Sequence, residues 1–174
     1  ALSSDYDTTD KATQMFFAET QNKLLYAVTQ KTAAEIIVSR ADANSPNMAL
    51  TNWKNTKVRK QDIYIAKNYL TKDEIDTLNR LVVIFLETAE LRIKERIDIS
   101  MEFWTKNVDR LLEFNNKPLL ASKGSISNKE MEDKVSEMYH LFEDRRKKQE
   151  AIADDKMELN ELNELEKKLK RREK

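Results

Sequence analysis

The chain has 174 residues, 40% hydrophobic and 36% charged, and its 31 basic and 31 acidic side chains cancel to a net charge of zero. That excludes a whole-chain electrostatic pull toward nucleic acid or anionic lipid and leaves only local patches. With no cysteine, disulfides, thiolate zinc sites and cysteine nucleophiles are excluded as well, and a reducing, cytoplasmic setting is expected.

The first residues, Ala1 to Asp5, contain neither an initiator Met nor a signal pattern, so an internal start within a longer protein is expected. A first helix is predicted from about Thr9 to Thr29, capped by Asp7 or Thr8, with Ala12, Met15, Phe16, Leu24 and Ala27 at helical spacing. Thr32 to Glu35 is a capping-box pattern that opens a short helix to about Ala43. Asn44-Ser45-Pro46-Asn47 breaks it, and Met48 to Val58 reads as irregular. Helix is predicted again from Arg59 to Asn68. A second capping box, Thr71 to Glu74, opens the most hydrophobic helix, about Lys72 to Arg96. Its Leu81–Leu86 run is apolar on every face, the mark of a helix buried at the centre of a bundle. Ser100 caps the next helix, which ends near Asn116 before Pro118.

Leu119 to Ile126 is a linker holding the one glycine, Gly124. A third capping box, Ser127 to Glu130, starts a stretch without a breaker to Lys174. Its early apolar stripe (Val135, Met138, Phe142, Ile152) is out of phase with the later one (Leu159, Leu162, Leu165, Leu169), so a regular heptad is not established. No apolar run approaches the roughly 20 residues of a membrane-spanning helix, and no membrane partner is expected. One glycine and two prolines leave too few turn residues for a sheet. The expected fold is all-α, a helical bundle with a buried central helix and a long charged C-terminal helix. A division into residues 1–120 and 121–174 is expected.

Phosphate-cradling glycine loops need several glycines, and zinc-protease motifs need paired histidines. His140 stands alone in a charged helix and reads as an exposed residue. No metal site and no cofactor is expected. A polar constellation remains: Glu35, Arg40, Asp42, Asn47, Lys67, Asn68, Asn79 and Arg80, with Gln21-Asn22-Lys23, among apolar surroundings. Buried polar groups must be paired, so these residues read either as a network joining helices or as a pocket gripping a phosphate or carboxylate. Glu35, Arg40, Lys67, Asn68 and Arg80 are expected to converge. Separately, Trp53, Lys54, Lys57, Arg59 and Lys60 form a basic loop with an aromatic edge. It reads either as a nucleic-acid contact or as a solvated loop with Trp53 in the core.

The runs FFAETQNKLLYAV (16–28), TAAEIIVSRADANSPNMALTNWK (32–54), VRKQDIYIAKNYL (58–70) and LNRLV (78–82) closely resemble the bacterial virulence-protein RhuM family over roughly residues 5 to 120. The resemblance implies a setting in mobile islands and a helix-turn-helix-like segment that is expected upstream of these residues. It implies no particular reaction. Family members often carry His where Leu25 stands and near Thr29, and Gly where Ala49 stands, so it lends no support to a His-based mechanism here. The positions Thr32–Glu35, Arg40–Asp42, Pro46–Asn47, Lys67–Asn68 and Asn79–Arg80 do match.

Two readings stay open. One is an effector-binding or assembly domain of a DNA-associated regulator, with nucleic acid as partner of the full-length protein and self-association through the C-terminal helix. The other is a nucleotide- or nucleic-acid-processing enzyme built on Glu35, Arg40 and Lys67.

Overall fold

Capping chemistry sets most of the helix starts. The computed structural model describes residues 11–97 and 100–172, with side chains except those of 12 and 164–172. Among the described residues five α-helices run Lys11–Thr29 (α1), Ala33–Arg40 (α2), Lys72–Lys94 (α3), Met101–Phe114 (α4) and Asn128–Arg172 (α5). The caps proposed for α1 at Asp7 and Thr8 lie outside the described residues. At α2, Thr32 N donates to Glu35 Oε2 at 2.8 Å. At α3, Thr71 N donates to Glu74 Oε2 at 2.8 Å and Thr71 Oγ1 accepts from Glu74 N. Ser100 and Ser127 likewise accept from Phe103 N and Glu130 N. Each bond satisfies an amide that the first helical turn leaves orphaned. No strand occurs among the described residues.

The core gathers around α2 and the loop that follows it. Leu25, Ile36, Ile37, Met48, Ile63, Leu70, Leu112 and Val135 are almost fully buried in one cluster, which Met131, Tyr139 and Phe142 of α5 join. A smaller cluster lies between α1, α3 and α4. There Ala89 and Trp104 are buried against Phe16, Phe85 and Phe103, with the Phe85 and Trp104 rings 4.6 Å apart.

Two expectations are corrected. The stretch Arg59 to Asn68 is not an α-helix. It makes two 3-10 turns, Asp62–Tyr64 and Ala66–Tyr69, separated by Ile65 in extended conformation. Side chains there take the bonds a helix would need: Asp62 Oδ2 accepts from Arg59 N, and Asn68 Nδ2 donates to Asp62 O at 2.9 Å. Asn68 O in turn accepts from Thr51 N at 2.7 Å. Asp and Asn compete with helical backbone in this way.

The Leu81–Leu86 run is also not the centre of the bundle. Leu81 is buried, but Val83, Ile84 and Leu86 are 51%, 39% and 45% exposed. α3 packs against α1 on one side, while α5 crosses over α2 instead of covering α3's other faces. The buried centre is α2.

The long C-terminal helix is present, with 45 residues, about 67 Å at 1.5 Å per residue. Its first half packs on the body; every residue from 151 to 163 is exposed. No helix among the described residues is long and apolar enough to cross a membrane.

Candidate functional site

The polar constellation does not converge; it divides into separate ties. Glu35 Oε1 accepts from Ser125 N and Ser125 Oγ, both at 2.7 Å, while Oε2 serves the Thr32 cap. The Ser125 amide, with the Thr32 amide and Ser125 hydroxyl, holds the Glu35 carboxyl down at about 2. Arg40 grips Glu74 through two bonds of 2.6 Å and donates to Tyr69 O at 2.8 Å, joining α2, the second 3-10 turn and the start of α3. That pairing lowers Glu74 to about 2. Arg80 is exposed and, among the described residues, pairs with Asp76, one turn back on its own helix. Lys67 and Asn79 are exposed, and Asn68 is buried in the Asp62 turn. Asn22 and Lys23 make structural links as well: Asn22 Oδ1 accepts from Ala33 N, and Lys23 pairs with Asp109 of α4 at 2.7 Å. The single pocket of Glu35, Arg40, Lys67, Asn68 and Arg80 is therefore corrected to two structural clamps, one buried turn residue (Asn68) and two surface residues (Lys67 and Arg80). The reason is competition among partners: Glu35 is filled by its own cap and by Ser125, while Arg40 is taken by Glu74 and Tyr69 O.

The unusual geometry lies elsewhere, at Asp42, Asn47 and the turn between them. Asn47, Met48 and Ala49 have φ of 54°, 57° and 60°, three consecutive L-residues in the left-handed region. That conformation costs about 1–2 kcal/mol per residue, less for Asn. The turn is held from several sides. Met48 is fully buried, Met48 N donates to Ser45 O and Leu50 N to Asn47 O. Asp42 accepts from Ser45 Oγ at 2.6 Å and Asn44 N at 2.8 Å. The Ser45 hydroxyl, then the Asn44 amide, lower the Asp42 carboxyl, and Arg145 adds to this.

α5 lies across this turn. Arg145 donates to Asn44 Oδ1 at 3.2 Å and to Ser45 O at 3.4 Å; Arg146 donates to Val58 O at 3.2 Å. Between the turn and α5 opens a hollow of about 300 Å³ lined by Asn44, Asn47, Phe142, Arg145, Arg146 and Gln149. A second hollow of about 470 Å³, lined by Lys57, Arg59, Tyr139 and Glu143 among others, shares Arg146. The Arg146 Nε is buried and makes no hydrogen bond; its nearest ion-pair oxygen, on Glu150, is 3.9 Å away. Glu150 is itself bonded to Lys57 at 2.6 Å.

The structure thus joins Asn47 from the polar constellation with Lys57 and Arg59 from the basic loop, through α5 residues that sequence reasoning assigned only to a charged helix. Trp53 is half-buried against the core, while Lys54 and Lys60 are exposed. Phe142 reads in the sequence only as part of an apolar stripe; the missed residues, Tyr139, Arg145, Arg146 and Gln149, share the side of α5 that continues the Val135–Phe142 stripe. An arginine pair continuing an apolar stripe was the available signal. Among the described residues no group of three or more His, Asp or Glu is placed to hold a metal ion.

Helices, an arginine-lined cleft and a strained polar turn define an all-α domain with a polar surface opening. The family model of the virulence protein RhuM family matches residues 1–150; the chain belongs to that family and so to the bacterial virulence-associated proteins. No curated protein and no solved structure matches the chain.

Proposed function

We propose that this chain is the effector-binding domain of a DNA-associated virulence protein. The cleft between the Asp42–Arg59 loop and α5 would receive a small ligand bearing phosphate or carboxylate. One observation carries the reading: Arg146, with a buried Nε that donates no hydrogen bond, lines both hollows beside a left-handed turn. A buried guanidinium N–H without an acceptor is costly, and an oxyanion supplies the missing one with the planar geometry guanidinium favours. Strained backbone retained beside such a group is characteristic of ligand sites. DNA contact would belong to the full-length protein. The processing-enzyme reading needs Glu35, Arg40 and Lys67 at one opening, and each is engaged or exposed elsewhere.

Thermal melting of the 174-residue chain with inorganic phosphate, mono- and dinucleotides and a dicarboxylate tests the reading. A ligand that binds only the folded state raises the melting temperature. The expected result is a rise with one class, lost in Asn47→Gly, which keeps the left-handed backbone and removes the amide, and in Arg146→Lys. No rise with any class, or equal rises in both variants, overturns it.

A further inference from the structure

We infer that the outward face of α3 is an antiparallel pairing surface for a second copy of this chain. Asn79, Val83, Leu86, Glu90 and Ile93 are all exposed, the three apolar ones by 51%, 45% and 43%. They recur at steps of four, three, four and three residues. At about 100° per residue they fall within an arc of roughly 80°, the spacing and width of a coiled-coil seam. Scattered exposed apolar side chains are normal on a protein surface, but a seam-spaced set is what a second helix needs. α3 meets the body through other positions, Leu78, Leu81 and Ala89, so the seam is open to a partner.

Charge selects the occupant, its direction and its register. Beside the seam, at steps of seven, stand Asp73, Arg80, Glu87 and Lys94, all exposed and alternating in sign. Residues seven apart drift only about 20° around a straight helix, so the four keep to one flank of the seam. Arg80 pairs with Asp76 within the helix, and the other three form no ion pair among the described residues. Glu87 has Val83, Ile84, Glu90 and Leu91 three and four positions away, so its own helix offers it one like charge and no base. The two-fold axis of an antiparallel pair runs across the seam, so each flank meets the same flank of the second copy. With Val83 level with the second copy's Leu86, and Asn79 with its Glu90, Arg80 faces Glu87 and Asp73 faces Lys94, each twice by symmetry. Opposite charges then border an apolar centre, and on either side of that centre an Asn amide meets a Glu carboxylate. A polar pair in a seam fixes register at some cost in stability. Sliding by seven residues would set Glu87 against Glu87 and Arg80 against Lys94. In a parallel pair the flank meets the other edge of the seam, where Ile75, Val82 and Ala89 carry no charge. This surface shares no residue with the cleft, and neither proposal depends on the other.

The absence of cysteine makes the direction directly readable. Asn79→Cys and Glu90→Cys are introduced into separately tagged copies of the 174-residue chain, which are mixed and mildly oxidised. The expected result is that the mixed disulfide forms faster than either like pair. In the antiparallel register like positions stand about 16 Å apart along the helix, beyond disulfide reach. Faster like pairs, or no pair above the rate of Ile84→Cys, which is level with the middle of the seam but turned away from it, overturn the inference. Charge reversal gives a second measurement. In sedimentation at high protein concentration and low salt, where exposed charges are least screened, Arg80→Glu and Glu87→Arg should each leave a monomer, and mixing the two should restore the dimer. Far-UV circular dichroism checks that both variants remain folded. A wild-type monomer under those conditions, or variants that dimerise alone as the wild type does, overturns it.

Discussion

Ala49 and Gly124 are two small residues in left-handed backbone, and the chain treats them in opposite ways. Gly124 has φ of 84°, and a Cβ there would lie 2.7 Å from Thr32 Cγ2 and 2.8 Å from Thr32 Oγ1. Its neighbour Ser125 delivers two bonds to Glu35, so the glycine lets the linker press against the start of α2. Gly124→Ala should destabilise through both the clash and the φ. We expect a loss of about 1–3 kcal/mol in denaturant melts, the range for overpacking. Ala49, at φ of 60°, has a Cβ where glycine would be unstrained. Ala49→Gly relieves about 1–2 kcal/mol against an entropic loss of about 0.4–1 kcal/mol. The variant is expected to be neutral or more stable by up to about 1.6 kcal/mol, and a clear loss in the same melts would contradict the strain argument. Positive φ at a non-glycine residue leaves no mark in composition or periodicity, which is why the Asn47–Ala49 turn read only as a break.

At the scale of elements, what was legible followed from local chemistry. Thr71 with Glu74, Ser100 and Ser127 each placed a helix start correctly because a cap involves only four residues. What was not legible depended on which neighbour covers which face. Val83, Ile84 and Leu86 have the same hydrophobicity as Ile36 and Ile37, yet α5 lies over α2 and leaves α3 half covered. Ile37→Ala should therefore cost about 2–5 kcal/mol. Ile84→Thr should stay within about 0.5 kcal/mol of wild type. Equal losses in chemical denaturation would return α3 to the centre. The Arg59–Asn68 segment was misread for a related reason, since the Asp62 and Asn68 bonds that unwind it are invisible to spacing.

Across the whole molecule, two carboxylates tie distant segments. Glu35 joins α2 to the linker before α5, and Glu74 joins α3 to α2 through Arg40. Both fall from an ordinary 4.5 to about 2 in the fold. A carboxyl depressed in the folded state contributes stability that is present above its unfolded value and is lost as pH falls through its folded one. Stability should therefore hold above pH 4.5 and decline between about 4.5 and 2, the window set by those two groups. Glu35→Gln and Glu74→Gln should each start less stable at neutral pH and flatten that decline, measured as the denaturation midpoint against pH. A wild-type profile flat to pH 2 would refute the clamps. The candidate cleft was legible only in fragments, with Asn47 in one set and Lys57 and Arg59 in another, because the arginines that unite them come from about 90 to 100 residues further along the chain.

The two tryptophans are divided between the two packing clusters. Trp104 sits in the small aromatic cluster beside Phe85, and Trp53 rests half-buried on the main core, in the loop that borders the cleft. Each indole therefore emits from a different half of the molecule, one dry and ringed by aromatics, the other within reach of water. Trp104→Phe silences the far half and leaves Trp53 as an intrinsic optical reporter on the cleft side, without any label attached. Trp53→Phe does the reverse, so whether the two halves melt together can be read by colour alone.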